Sequence, residues 1–174
     1  MTLSLDDAFA PPMTLSIRAA DLADPTDAAA VVDLVNAYAL DPLGGGAPLA
    51  ADVRARLVPG LRAHPTTVVL LAFRDDRPVG IAVCFLGFST FQGRPLLNVH
   101  DLAVLPAARG QGIGRALLAA AEVWAREHGC GKLTLEVLDD NHRARTLYAS
   151  CGFADYALGG PGATRFLTKL LAAT

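Results

Sequence analysis

The chain has 174 residues, 52% of them hydrophobic, with 17 acidic side chains against 15 basic ones and a formal net charge of −2. That length suits one domain able to bury a core unaided, and the charge balance argues against a nucleic-acid partner, which calls for a basic patch. Apolar stretches such as residues 67–73 and 79–88 fall well short of the roughly 20 residues a membrane helix needs, so no membrane partner is expected. The three cysteines (Cys84, Cys130 and Cys151) are odd in number and lack CxxC or His-rich spacing. They predict neither a disulfide framework nor a metal site, and they fit a reducing cytoplasm.

Residues 1–13 read as a loose tail, with Asp6, Asp7 and a Pro11-Pro12 pair but no hydrophobic period. They carry acid where a signal peptide carries base. Met13-Thr14-Leu15-Ser16 repeats Met1-Thr2-Leu3-Ser4, which leaves Met13 as an alternative start. Residues 14–174 are then expected to form a single domain, since no Pro/Ser linker or charge run divides them.

In chain order, residues 15–19 predict a short strand. Asp24-Pro25-Thr26-Asp27 signals a helix start, and Val31, Leu34, Val35 and Tyr38 follow at helical spacing. Asp41-Pro42-Leu43 and three glycines break that helix, and a second is predicted over residues 49–61. Residues 67–73, 79–88 and 96–104 read as strands separated by turns at Asp75-Asp76-Arg77-Pro78 and Gln92-Gly93-Arg94-Pro95, an antiparallel meander. Strands and helices alternate thereafter, ending on a strand beyond Phe153, with Gly129 and Gly152 placed as helix stops. The fold class is therefore α/β (α+β), with a mixed, mostly antiparallel central sheet flanked by helices.

The informative stretch follows the third meander strand. Past Val104 comes a glycine-rich loop, and then a helix whose Ile113, Leu117, Ala120, Ala121 and Trp124 share one face. Gly110, Gly112 and Gly114 let the backbone approach a ligand, and a helix N-terminus favours an anion such as a pyrophosphate. Taken alone, such a loop is more often a plain tight turn than a ligand site. The dinucleotide GxGxxG and Walker patterns both fail here; the fit is Arg-x-x-Gly-x-Gly at Arg109, Gly112 and Gly114. A second pattern lies downstream. Residues 132–138 read as a strand through Leu133, Leu135 and Val137. Asp139-Asp140-Asn141 then opens a short helix with Ala144, Leu147, Tyr148 and Cys151 on one side, closed by Gly152-Phe153.

The loop and the Asn-x-x-Ala-x-x-x-Tyr…Gly-Phe pattern together resemble the GNAT superfamily of N-acetyltransferases. The resemblance spans roughly residues 15–171 and is specific over residues 88–153. Within that superfamily, the stretch from Phe88 to Val104 is similar to the diamine and thialysine acetyltransferases. It implies acetyl-CoA as co-substrate, no metal, direct attack by an amine in a ternary complex, and a homodimer. The coenzyme would be held by Leu102, Ala103 and Val104, by the loop Arg109, Gly110, Gln111, Gly112, Ile113, Gly114 and Arg115, and by Asn141, Ala144 and Tyr148. The resemblance further implies a splayed strand pair that frees the Val104 N–H for the thioester oxygen, and Tyr148 as acid for the departing thiolate.

An alkylamine with a pKa of about 10.4 is about 0.1% neutral near pH 7, so a base is needed. His100 is one candidate, directly or through water, with a strand-edge histidine bonded to the backbone as the alternative. The diamine relatives carry Glu-Asp where this chain has His100-Asp101. Asp101 is a second candidate, but neighbours on a regular strand face opposite ways, so both reach one cleft only if the strand is bulged. Asp33, Asp41 and Asp52 are candidates to attract a cationic acceptor, expected to be a small-molecule primary amine such as a polyamine or an amino-acid-like compound. A protein N-terminus or lysine is the alternative acceptor, and a non-catalytic acyl-CoA-binding module the alternative class. Cys84 and Cys151 read as buried, inert thiols.

Overall fold

A computed structural model describes residues 14–155. The tail over residues 1–13, the alternative start at Met13 and the strand expected after Phe153 lie outside the described residues. The chain forms two compact units that divide after Thr134.

The first unit begins with β1 (Leu15–Ala19) and α1 (Pro25–Leu40). The start of α1 is the one read from sequence. Asp24 caps it by accepting the Thr26 and Asp27 N–H groups at 2.8 and 3.0 Å, and Pro25 occupies the first turn, where no N–H is missed. After α2 (Ala51–Ala63) come β2 (Thr67–Arg74), β3 (Arg77–Ser89) and β4 (Arg94–Val104). The strands pair antiparallel as expected, β1 with β2, β2 with β3 and β3 with β4. A short 3-10 turn (Pro106–Ala108) leads to α3 (Ile113–Glu127), and β5 (Lys132–Leu135) completes a five-stranded sheet in the order β1-β2-β3-β4-β5. Gly131 N–H donates to the Pro95 carbonyl and Asn98 reaches Thr134, so β5 ascends alongside β4 in parallel.

Alternation along β3 divides the core. Ile81 and Val83 pack with Val69, Leu71, Val31, Leu34, Val58 and Leu61 under α1 and α2. The intervening residues face α3: a Cβ at Gly80 would meet the side chains of Ile113 and Leu117 at 3.2 Å. Leu71, Ile81, Leu97, Ile113 and Leu117 are almost fully buried; at about 25 cal/mol per Å² of apolar surface, each such side chain contributes about 2 kcal/mol.

Asp27 is the buried charge that sequence reading did not single out. Only 2% exposed, it accepts both forks of Arg18 at 2.6 and 2.7 Å and the Asp21 N–H at 2.8 Å. This bidentate pair fastens the start of α1 to the end of β1.

The second unit, from Leu135, carries α4 (His142–Ser150) among its described residues. The strand expected over residues 132–138 is shorter than the alternation suggested and stops at Leu135. Its bonds with β4 include those at Pro95 and Asn98.

Candidate active site

The β3–β4 register skips one residue. Val83 faces Asp101 and Cys84 faces Val99, so His100 is the extra residue of a β-bulge. The condition under which His100 and Asp101 share a side is therefore met. Asp101, opposite Val83, lies on the α1–α2 face, and the His100 ring packs edge-on against Phe85 of the same face at 5.6 Å. Phe85 in turn meets His64 at 5.0 Å, forming a row of three rings. His100 is exposed and Asp101 is half-buried. Burial pushes the Asp101 carboxyl above the usual carboxylate range, and the adjacent His100 charge pulls it partway back.

Tyr38, on α1, belongs to this neighbourhood. Burial raises its phenol, and the charges of Asp101 and then Asp41 raise it further. Sequence reading took Tyr38 only as part of the helix stripe; its closeness to the end of α1 was the signal available. Of the acids read as attracting a cation, Asp52 pairs with Arg56 one turn along α2 and Asp41 pairs with Arg109 at 2.7 Å, while Asp33 is exposed on α1. Each of Asp41 and Asp52 thus faces a guanidinium of its own chain.

The end of β4 is built for backbone contacts. Leu105 N–H donates to the Val79 carbonyl at 2.9 Å. Residues of an antiparallel ladder turn alternately toward and away from the partner strand. Leu102 and Val104 therefore aim their N–H and C=O groups away from β3, with Ala103 between them aimed toward it. Arg109 closes the turn that follows, donating through Nε to the Val104 carbonyl at 2.9 Å and through Nη2 to Asp41. A shallow, open cleft lies here, with roughly 210 Å³ of unfilled space that includes open solvent, lined by Leu34, Ala37 and Tyr38 of α1 and by the chain from Ala103 to Pro106 with Arg109.

Beyond Arg109, Gly110 (φ 75°) and Gly112 (φ 79°) adopt the left-handed conformation that favours glycine. A Cβ built at either meets nothing within 4 Å, so their value here is conformational. Gly112 is the N-cap of α3 and supplies no side-chain cap, so the first-turn N–H groups of Ile113 and Gly114 are not capped by that residue and face the site of an anion. Gln111 folds back onto the Ala107 carbonyl at 3.2 Å. These features fit a pyrophosphate: a turn with open space, a helix N-terminus without a side-chain cap and a helix dipole.

In the second unit, Asn141 caps α4 by accepting the Ala144 N–H at 3.1 Å, so the pair singled out from sequence forms a local capping contact. Gly152 (φ 86°) ends the helix in a Schellman turn, in which the Phe153 N–H donates to the Tyr148 carbonyl at 3.0 Å. The Tyr148 ring lies 5.9 Å from that of Phe153. Cys84 is fully buried and its thiol is pushed up to about 12, mainly by burial and also by the Asp101 charge, so it is inert as a nucleophile. Cys130 and Cys151 are half-buried.

Residues 33–153 match the acetyltransferase (GNAT) family. The chain is 32% identical over 148 residues to an uncharacterized N-acetyltransferase of Bacillus subtilis, covering 78% of this chain and 93% of that one. It is 39% identical over 77 residues to the thialysine N-epsilon-acetyltransferase of Bos taurus, covering 44% of this chain and 45% of the relative. Among solved structures, the fold superposes with a TM-score of 0.69 on an aminoglycoside N-acetyltransferase in complex with CoA, at 17% identity and covering 92% of this chain and 97% of that one. Fold and matches together define an acetyltransferase. The chain belongs to the GNAT acetyltransferase family. Among the described residues, no helix is long and apolar enough to cross a membrane.

Proposed function

We propose that the protein transfers an acetyl group from acetyl-CoA to the primary amine of a small molecule by direct attack. The observation that carries the reading is the β4 bulge. Asp101, a carboxylate with a raised affinity for protons, shares a face with His100 and lies three residues before the strand end that leads into the anion-binding turn. A base with a proton affinity nearer neutrality than an ordinary carboxylate is what removal of an ammonium proton asks for. Asp101 takes the amine proton, and His100 stands beside it on the same face. The Val104 N–H, directed away from β3, receives the developing oxyanion. The turn from Gly110 to Arg115 holds the pyrophosphate, and Leu102 and Val104 bond the pantetheine arm. Tyr148 returns a proton to the thiolate, and Asn141 and Ala144 belong to the coenzyme-binding side. The bound coenzyme supplies the activated acetyl thioester. Relatives named for thialysine and for aminoglycosides support a small amine as acceptor.

The test is thiol release from acetyl-CoA against thialysine, lysine, spermidine, sisomicin and an alanyl peptide, with Tyr148→Phe in parallel. Turnover of one small amine that falls at least tenfold in the variant is the expected result. Turnover of the peptide alone moves the acceptor to a protein N-terminus, and acetyl-CoA binding with no turnover overturns the catalytic reading.

A further inference from the structure

The resemblance placed Arg109 among the coenzyme ligands, yet its guanidinium is engaged elsewhere. Nε meets the carbonyl of Val104, the last residue of β4. Nη2 meets the Oδ2 of Asp41, the residue that ends α1, 68 positions away in sequence. The pair is largely shielded, with the two side chains 26% and 18% exposed, where screening by salt is weak. The same Asp41 accepts the Leu43 N–H through Oδ1 at 2.9 Å, starting the turn toward the glycine-rich α1–α2 loop. One carboxylate therefore fixes both the loop and, through Arg109, the end of β4. The cleft lies between those two elements, with Tyr38 one helical turn before Asp41 on its wall.

We propose that Arg109 and Asp41 form a clasp that sets the acceptor side of the active site, with Arg109 acting as a positioning residue. The clasp holds the C-terminal turn of α1 against the end of β4, so that Tyr38 stays near Asp101 and the acceptor meets a formed wall. This inference rests on the acetyl-transfer reading above.

Asp41→Asn separates the contact with Arg109 from that with Leu43. The amide keeps an oxygen for the Leu43 N–H and loses the charge that faces Arg109. The measurements are acetyl-CoA affinity by calorimetry and steady-state kinetics with whichever of the five acceptors the wild type turns over fastest. The expected result is an acceptor KM raised at least fivefold, with kcat and acetyl-CoA affinity each within twofold of wild type. Arg109→Lys gives the same split, and the double variant is no worse than the poorer single one, as two halves of one contact require. An unchanged acceptor KM, or a tenfold change in acetyl-CoA affinity in either variant, overturns the clasp. Failure of the acetyl-transfer reading shows separately, as a wild type that turns over no acceptor. In that event amide hydrogen exchange over residues 37–41, the last turn of α1 and its cap, which needs no ligand, decides: exchange tenfold faster in Asp41→Asn upholds the clasp, and unchanged exchange overturns it.

Discussion

Removing the Asp27 carboxylate perturbs the anchor at the start of the helix that carries Tyr38. In Asp27→Ala the part-buried Asp21 N–H loses a charged acceptor 2.8 Å away, a loss of about 2 kcal/mol. The Arg18 pair adds less, because half of that side chain is exposed and water replaces its partner; about 0.5 kcal/mol is the discounted figure. Loss of an acid from the first turn of α1 adds about 0.5 kcal/mol. The sum is about 3 kcal/mol, or roughly 6–12 °C of melting temperature for a chain of this size. Thermal melts followed by circular dichroism at pH 7, 5 and 3 give the assay, with Asp27→Asn as the near-isosteric control. The Asp27 carboxyl is held below its ordinary value of 3.8 by the Arg18 hydrogen bonds, against the opposing effect of burial, and by the Asp21 N–H. A depressed carboxylate contributes stability that is complete above that ordinary value and is lost as pH falls through the lower folded value. The gap between wild type and variant should therefore be widest at pH 5–7 and shrink below about pH 4. A loss under 3 °C at pH 7, or a gap that does not narrow at pH 3, refutes the reasoning.

Asp101→Asn should lower turnover at least a hundredfold while raising the melting temperature above pH 6. Because burial raises its folded pKa, the ionised carboxylate disfavours the fold as pH rises through that value, and the amide removes this penalty; a variant that is both active and no more stable contradicts both roles. In the wild type, kcat/KM should climb with pH through a value above the ordinary carboxylate range, and a flat profile from pH 5 to 8 argues against Asp101 as base. Gly112→Ala places a side chain at φ 79° in otherwise open space. It should cost about 1 kcal/mol of stability and weaken acetyl-CoA binding at least fivefold by calorimetry, whereas unchanged affinity removes this turn from the coenzyme site.

Features written in neighbouring residues were legible. Asp24 and Pro25 marked the start of α1, Gly129 and Gly152 both take positive φ at helix ends, and the glycines after Arg109 marked the turn into α3. Features that arise where distant segments meet were not. The bulge at His100 is a property of pairing with β3, and nothing in the run Val99-His100-Asp101 announces it. The Arg109–Asp41 and Arg18–Asp27 pairs depend on where the ends of α1 fall in space. The short span of β5 depends likewise on its partner strand, because alternation in Leu133, Leu135 and Val137 reports a side-chain period and carries no information about how far a neighbour follows.

The extra residue in β4 also bears on how such a chain changes length. In an unbroken ladder, losing one residue turns every later side chain to the opposite face. Here Val99 already faces Cys84 and Asp101 already faces Val83. Deleting His100 leaves both orientations, and those of Leu102, Ala103 and Val104, as they stand. At this point of the strand the loss of one residue keeps each later side chain on its own face, so the group presented beside Asp101 can vanish or be exchanged without reversing the two faces of the sheet.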